Sequence, residues 1–497
     1  MDGNIVVNAW KSIDKHMFTL VLGANMQDNK EDNKSFSATG FLSDKLTNLD
    51  FAMQYREGAK PRGSVSQDRL IGFFANASYA YDNRYLFDFS YRTDGSSKFG
   101  KKNRFAPFWS AGIGWNIHNE KFWGNPEWLT QAKIRSSVGY TGNVTFSPYQ
   151  AQTTYQYSSD NIYLNGVGAD IIALGYEDLK WQRKFTVNLG CDLDFWEGRF
   201  SLTGEYFREY TKDVLMDISL PPSLGFIDYK ENFGEMENKG WSLNLRTQML
   251  RDTERELYWS LAFGTSDSKN KIKKITDKLG AMNDENNKNE TKKPVPLYEE
   301  GESLDALKAV PSLGSDPETG KEVFVKKDGS LTFDYDANDK IAMGNTIPKL
   351  EFALSTSFTW KRLSLFAGMN ITCGGWVYNS TRAGKVEQID PRHNVDRRAF
   401  TERWKQAGDK VYYLGYDPNN YVYAQSQRFL EKRNEFYLST LGISYEINPE
   451  WVKHIYLKRL HVSVNFSDVL RLSTVKFERG TSYPYMRGFN FTVSPTF

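Results

Sequence analysis

Apolar and polar residues take alternate positions along segment after segment of this chain, the period expected of a strand whose two faces meet different surroundings. In 84–94, Tyr85, Phe87, Phe89 and Tyr91 share one face, while Arg84, Asp88, Ser90 and Arg92 share the other. In 184–195, Phe185, Val187, Leu189, Cys191, Leu193 and Phe195 oppose Lys184, Thr186, Asn188, Asp192 and Asp194. Segments 240–249 and 256–264 repeat the pattern, as does the last run with Phe489, Phe491, Val493 and Phe497 on one face. Weaker alternation marks 3–10, 16–27, 69–82, 106–117, 130–141, 199–211, 350–361, 363–375, 434–447 and 457–468. The pattern predicts about fifteen strands, most near the ~9–11 residues of a tilted membrane strand.

Connections between these segments alternate in length. Short ones fall at 11–15, 82–83, 118–129, 196–198, 251–255, 361–362 and 448–456; long polar ones fall at 28–68, 95–105, 142–183, 212–239, 268–349, 376–433 and 469–486. Because the long ones recur at every second connection, they emerge on one side, the asymmetry of outer-membrane barrels with short periplasmic turns and long extracellular loops. Tyr81, Tyr85, Trp196, Trp360 and Tyr445 stand near the short-turn ends, where an interfacial aromatic girdle would lie. The expected fold is therefore all-β, a partial antiparallel transmembrane β-barrel in the outer membrane of a Gram-negative cell. If the last strand runs inward, so does the first, and an even barrel then needs an odd number of further strands. Against the about 22 strands of the largest transporters, about seven would be missing. A sheet with two unpaired edges is not tolerated in hydrocarbon, so these residues alone are expected not to close a barrel.

Composition narrows the field. Lys+Arg 63 against Asp+Glu 61 gives a net charge of +2, too small a field to recruit nucleic acid. A mean hydropathy of −0.59 and the lack of an apolar run near ~20 residues exclude a helical membrane protein but not a barrel, whose lipid face uses every second residue. Two cysteines, Cys191 and Cys373, allow one bridge at most. The start, MDGNIVVNAW, shows no basic stretch followed by an apolar one, so no signal peptide is read there.

Several motifs follow in order: DGSSKFG (94–100), WSAGIGW (109–115), KIRSSVGYTGN (133–143), EDLKWQ (177–182), KDVLMDISLP (212–221), NFGEMENKGW (232–241), GNTIPKLE (344–351), RHNVDRRAFTERW (392–404) and YPYMRGFNFTVSPTF (483–497). Over essentially its whole length this series resembles the SusC/RagA family of TonB-dependent outer-membrane transporters. The resemblance implies uptake of an oligosaccharide or peptide with a SusD-like surface lipoprotein, driven through the TonB complex. It also implies that signal peptide, carboxypeptidase-like extension, TonB box and plug domain stand outside residues 1–497, which form the C-terminal part of the barrel. Without them the chain is not expected to carry out energised uptake alone. By the same resemblance Phe497 looks like a signal for the outer-membrane assembly machinery, although an aromatic end to a last strand needs no such role.

Recognition should fall on lumen-facing residues and long loops. The connection 376–433 carries Trp376, Tyr378, Trp404, Tyr412, Tyr413, Tyr416, Tyr421 and Tyr423. Such rings can stack on sugars, contact a protein partner, or pack the loop against the rim, and the residues alone leave these three uses open. Asp334, Asp336 and Asp339 lack the glycine and glutamate positions of a calcium loop, so no metal is expected. GSDPETGKE (314–322) superficially resembles a phosphate-binding loop, but its spacing is one residue too long and Glu322 stands where Ser or Thr is required. His461 and Ser463 on one strand are ordinary polar alternation; no catalytic set and no cofactor is expected. Two competing readings remain, a stand-alone porin or barrel hydrolase and a soluble all-β carbohydrate-binding protein.

Overall fold

The computed structural model describes the chain apart from residues 60, 125, 145, 164–165, 220–227, 233, 278, 281–282, 284–296, 391, 418–425 and 477–485. Fifteen strands form one antiparallel sheet in sequence order. They are β1 Asp2–Ile13, β2 His16–Ser35, β3 Arg62–Tyr81, β4 Tyr85–Ser96, β5 Phe105–Asn116, β6 Gln131–Asn143, β7 Gln182–Phe195 and β8 Phe200–Lys212. The rest are β9 Gly234–Asp252, β10 Leu257–Ile275, β11 Leu350–Trp360, β12 Leu363–Tyr378, β13 Leu430–Glu446, β14 Arg459–Ser473 and β15 Gly488–Thr496. Every segment read from the alternation is one of these, and β1 and β15 are the two edges of the sheet.

The short turns need unusual backbone. Asp14 (φ 49°), Asp82 and Asn83 (φ 48° and 51°) and Lys361 (φ 52°) occupy the left-handed region, which suits hairpin turns whose twist matches that of the strands. Two connections counted as short turns hold helical pieces instead, Ile117–Asn119 and Pro449–Lys453.

Strand ends on the long-loop side differ from the expectation. β2 runs to Ser35 rather than 27, and β3 begins at Arg62, with continuous pairing from Asp28↔Arg69 to Ser35↔Arg62. The added stretch of β2, DNKEDNKS, is polar on both faces. Where both sides meet the same surroundings the alternation disappears while the ladder hydrogen bonds persist, so periodicity marks the two-faced span and not the whole strand. The long connections also contain small sheets of their own: Thr154–Tyr163 with Gly166–Ala173, Leu215–Ser219 with Asp228–Asn232, Ala306–Ala309 with Ile341–Asn345, and a three-stranded sheet of Ser312–Ser315, Glu322–Val325 and Leu331–Thr332.

The chain divides into two compact units. The first comprises 1–113, 138–185 and 212–233. Its buried core is Phe99, Ala106, Phe108, Phe146, Ala151, Leu179 and Trp181, drawn from two long connections and the start of β5. The second comprises 114–137, 186–211 and 234–497, and its core of Ala383, Val386, Ile389, Ala399, Tyr413 and Phe429 lies in the connection between β12 and β13. Few wall residues are buried. Cys191 and Cys373 are free thiols.

Candidate functional site

The connection from β12 to β13 leaves the sheet at Tyr378 and turns at once. Asn379 accepts the amide of Arg382 (3.0 Å) and so starts a short helix that continues to Glu387. Asp396, two residues before the helix Arg398–Thr401, accepts the Arg398 amide at 2.8 Å and its guanidinium at 2.7 and 2.9 Å. The Arg398 guanidinium holds the Asp396 carboxyl down at about 2.

Arg403 then closes the loop on itself. Its buried guanidinium donates to the carbonyls of Ala399 (2.9 Å), Leu414 (2.9 Å), Val386 (2.7 Å) and Glu387 (2.8 Å). These carbonyls come from three turns with no ladder partners, so one planar fork of donors satisfies what secondary structure does not. Arg428, also buried, donates to the Glu387 carboxylate at 2.5 Å, to Glu322 at 3.3 Å and to the carbonyl of Tyr412 at 3.2 Å. Glu387 is wholly enclosed. One oxygen of Glu322 and the Nε of Arg428 have no hydrogen-bond partner, leaving the network incompletely satisfied.

Glu322 belongs to the preceding connection, between β10 and β11, so Arg428 ties two surface loops together. Other contacts run the same way. Gln427 N donates to Val310 O at 3.0 Å and Gly415 N to Gly320 O at 2.9 Å. Trp404 Nε1 donates to Pro317 O at 2.8 Å. Gly320 (φ +69°) lies beneath the Trp404 ring, where a Cβ would fall 2.4 Å from it. The segment 314–322 is thus a hairpin turn stabilised by Asp316, which accepts the Thr319 amide (3.0 Å) and hydroxyl (2.6 Å), not a phosphate cradle.

The eight aromatic candidates divide accordingly. Tyr413 is 0% exposed and accepts a hydrogen bond from Arg382 Nε at 2.9 Å. Tyr412 lies under the Arg382 guanidinium, 4.0 Å from its carbon, and donates its hydroxyl to the Arg428 carbonyl; burial pushes that phenol up. Tyr378 packs against the same core, Trp404 covers Gly320, and Trp376 covers Gly344. Tyr416 is 38% exposed, joined on the loop surface by Phe400 at 55%, which the sequence reading did not single out. Tyr421 and Tyr423 lie outside the described residues. The structure brings Tyr378, Tyr412 and Tyr413 together around arginines and sets Tyr416 outward.

Asp336 and Asp339 serve the loop backbone, accepting the amides of Asn338 (2.9 Å) and Lys327 (3.0 Å). Among the described residues no group of three His, Cys, Asp or Glu side chains is placed to hold a metal. Phe497 follows the end of β15 and is exposed.

The sheet, its one-sided loops and the interlocked surface turns can be set beside known proteins. Residues 18–467 match the family described as TonB dependent receptor-like, beta-barrel. The chain belongs to this family. Among similar proteins, TonB-dependent receptor P3 of Formosa agariphila is 26% identical over 392 residues, 75% of this chain and 38% of that protein. TonB-dependent receptor SusC of Bacteroides thetaiotaomicron is 30% identical over 288 residues, 55% of this chain and 27% of that protein. A solved structure titled as the RagAB peptide transporter superposes with a TM-score of 0.81 at 24% identity, covering 95% of this chain and 52% of that one. The receptor barrel described here therefore spans about half, or less, of the length of the proteins it matches.

Proposed function

We propose that this TonB-dependent receptor barrel is the wall and loop surface of a SusC/RagA-like importer in the outer membrane, taking up an oligosaccharide or a peptide together with a SusD-like surface lipoprotein and drawing energy through the TonB complex. The observation that carries this reading is the fifteen-stranded antiparallel sheet with long connections at every second position, in a chain that matches the barrel family over residues 18–467. In the assembled transporter the free edges of β1 and β15 take further strands, since hydrocarbon leaves no backbone group unpaired. Substrate or lipoprotein meets the outer surface of the loops, with Tyr416 the described candidate of the aromatic set. Phe497 at the end of the wall serves the outer-membrane assembly machinery. The chemistry is passage, not bond-making, and the interlocked loops hold a shape rather than a reactive group.

The test uses the gene product in its own outer membrane. It is expected in the carbonate-resistant outer-membrane fraction, to co-purify with a surface lipoprotein, and to import a labelled oligosaccharide or peptide only while the proton gradient stands. Uptake unaffected by an uncoupler, or recovery of the product in the soluble fraction, overturns the proposal.

A further inference from the structure

The first strands of the sheet carry a groove on their apolar face. Pairing registers place Ala9, Leu20, Ala77 and Phe89 in one cross-strand row and Lys11, Phe18, Tyr79 and Phe87 in the next. The alanines of the first row leave a low floor, and the rings of the second row stand up beside it, enclosing about 760 Å³. On the short-turn side of the groove, His16 Nδ1 and the Tyr79 hydroxyl lie 2.8 Å apart.

Lys11 lines this groove, is exposed, and has no ion pair among the described residues. Its neighbour at the turn, Lys15, is already matched to Asp82 at 3.0 Å. An ammonium on the lipid side of a wall is costly in hydrocarbon and tolerable only where its stem can reach the headgroup layer. Lys11 meets that condition, standing two residues before the end of β1 at Ile13, beside the row of aromatics that includes Tyr81 and Tyr85. Carbon below and a lone cation at interface depth are complementary to one kind of molecule, an acidic phospholipid of the inner leaflet.

We propose that this groove is a phospholipid site, in which an acyl chain lies over Ala9 and Ala77 against the Phe18 and Phe87 rings and the Lys11 ammonium meets the phosphate. The inference rests on the membrane-wall reading above. The experiment reconstitutes the receptor, purified from its outer membrane, into vesicles containing phosphatidylglycerol or phosphatidylcholine with a photoreactive acyl chain, and maps the labelled peptides. Phosphatidylglycerol is expected to label peptides spanning 9–20 and 77–89 several-fold above the other wall strands. Lys11→Gln should reduce that labelling to the phosphatidylcholine level, and Ala77→Phe, which fills the floor, should remove the excess for both lipids. Equal labelling by the two lipids with no response to Lys11→Gln overturns the site while leaving the wall in place. A bifunctional amine cross-linker that joins these peptides to a second copy of the receptor also overturns it. Absence of label from every strand overturns the site and the wall reading together.

Discussion

Two loop junctions, one in each compact unit, solve the same problem with opposite chemistry. In the first unit DGSSKFG and EDLKWQ meet through rings: Phe99 stacks on Trp181 at 4.6 Å, and Phe146 and Phe108 approach edge-on at 5.1 and 5.5 Å. Its polar contacts are few, chiefly Trp181 Nε1 to Asn103 O (3.0 Å) and Asn103 Nδ2 to Asp178 O (3.1 Å). In the second unit the junction is ionic, with Arg428 between Glu387 and Glu322 and Arg403 on four carbonyls. Dry rings tolerate small shifts, because burial is not directional. A buried ion pair depends on every partner, so it specifies one arrangement of two loops more than it stabilises that arrangement.

The largest effect should come from breaking the ionic junction on one side. Arg428→Met strands two buried carboxylates, which costs on the order of 3–5 kcal/mol. Hydrogen exchange in 376–417 should rise accordingly, while 94–108 and 177–182 stay protected. Replacing all three charges at once, Glu322→Leu and Glu387→Leu with Arg428→Met, should restore part of the protection, since an apolar set of similar volume removes the stranded charges and leaves only the Leu414 amide and the Tyr412 carbonyl without these partners. If the single variant exchanges like the parent, the contrast between the junctions fails.

Next comes Gly100. A Cβ there would fall 2.1 Å from the carbonyl oxygen of Glu177, so Gly100→Ala must push the two aromatic segments apart, at about 1–3 kcal/mol. Exchange at 177–182 reads this directly, and an unchanged rate would show that the segments are not held at contact distance. Trp181→Phe keeps most of the ring packing but leaves the Asn103 carbonyl without its donor, at about 1 kcal/mol. Its exchange signature should be confined to the turn at 101–104.

The two junctions also differ in how much of them could be read beforehand. All fifteen wall strands were legible, because two faces in different surroundings impose alternation on the residues. Their outer ends were not, as DNKEDNKS in β2 shows, because water on both faces erases it. Phe99 and Trp181 fall inside motifs whose order suggested the family, yet nothing in the residues said that the two motifs touch. Glu387 and Arg428 stand 41 residues apart and Glu322 a further 65 before Glu387, in loops without periodicity. Charge pairing at that range leaves no local pattern. Glu322 drew notice only as the residue that spoiled a phosphate-loop match. The rings of 376–433 were visible as a set, but an aromatic in a polar loop carries no mark of direction. Tyr413 sits enclosed and Tyr416 faces out, three residues apart.

The smallest predicted effect separates the junctions by pH. Asp396 accepts the Arg398 amide as a carboxylate just ahead of the helix Arg398–Thr401, and the Arg398 guanidinium lowers its pKa from an ordinary 3.8 to about 2. A group depressed in the folded state contributes stability that is full above its unfolded pKa and is lost as pH falls through the folded one. The window is therefore about pH 4 down to 2. With the pair partly open to solvent, the contribution is held to about 1 kcal/mol. Amide exchange of Arg398 and its neighbours, corrected for the intrinsic pH dependence, should rise several-fold across that window. Asp396→Asn should abolish the dependence while keeping an acceptor for the Arg398 amide. The aromatic segments 94–100 and 177–182 should show no corresponding change, because the rings stack directly on one another and the carboxylate pair beside them, Asp178 with Lys102 at 3.7 Å, is exposed. A parallel loss of protection in both places would mean that acid loosens the whole protein, and that the charged loop has no titration of its own.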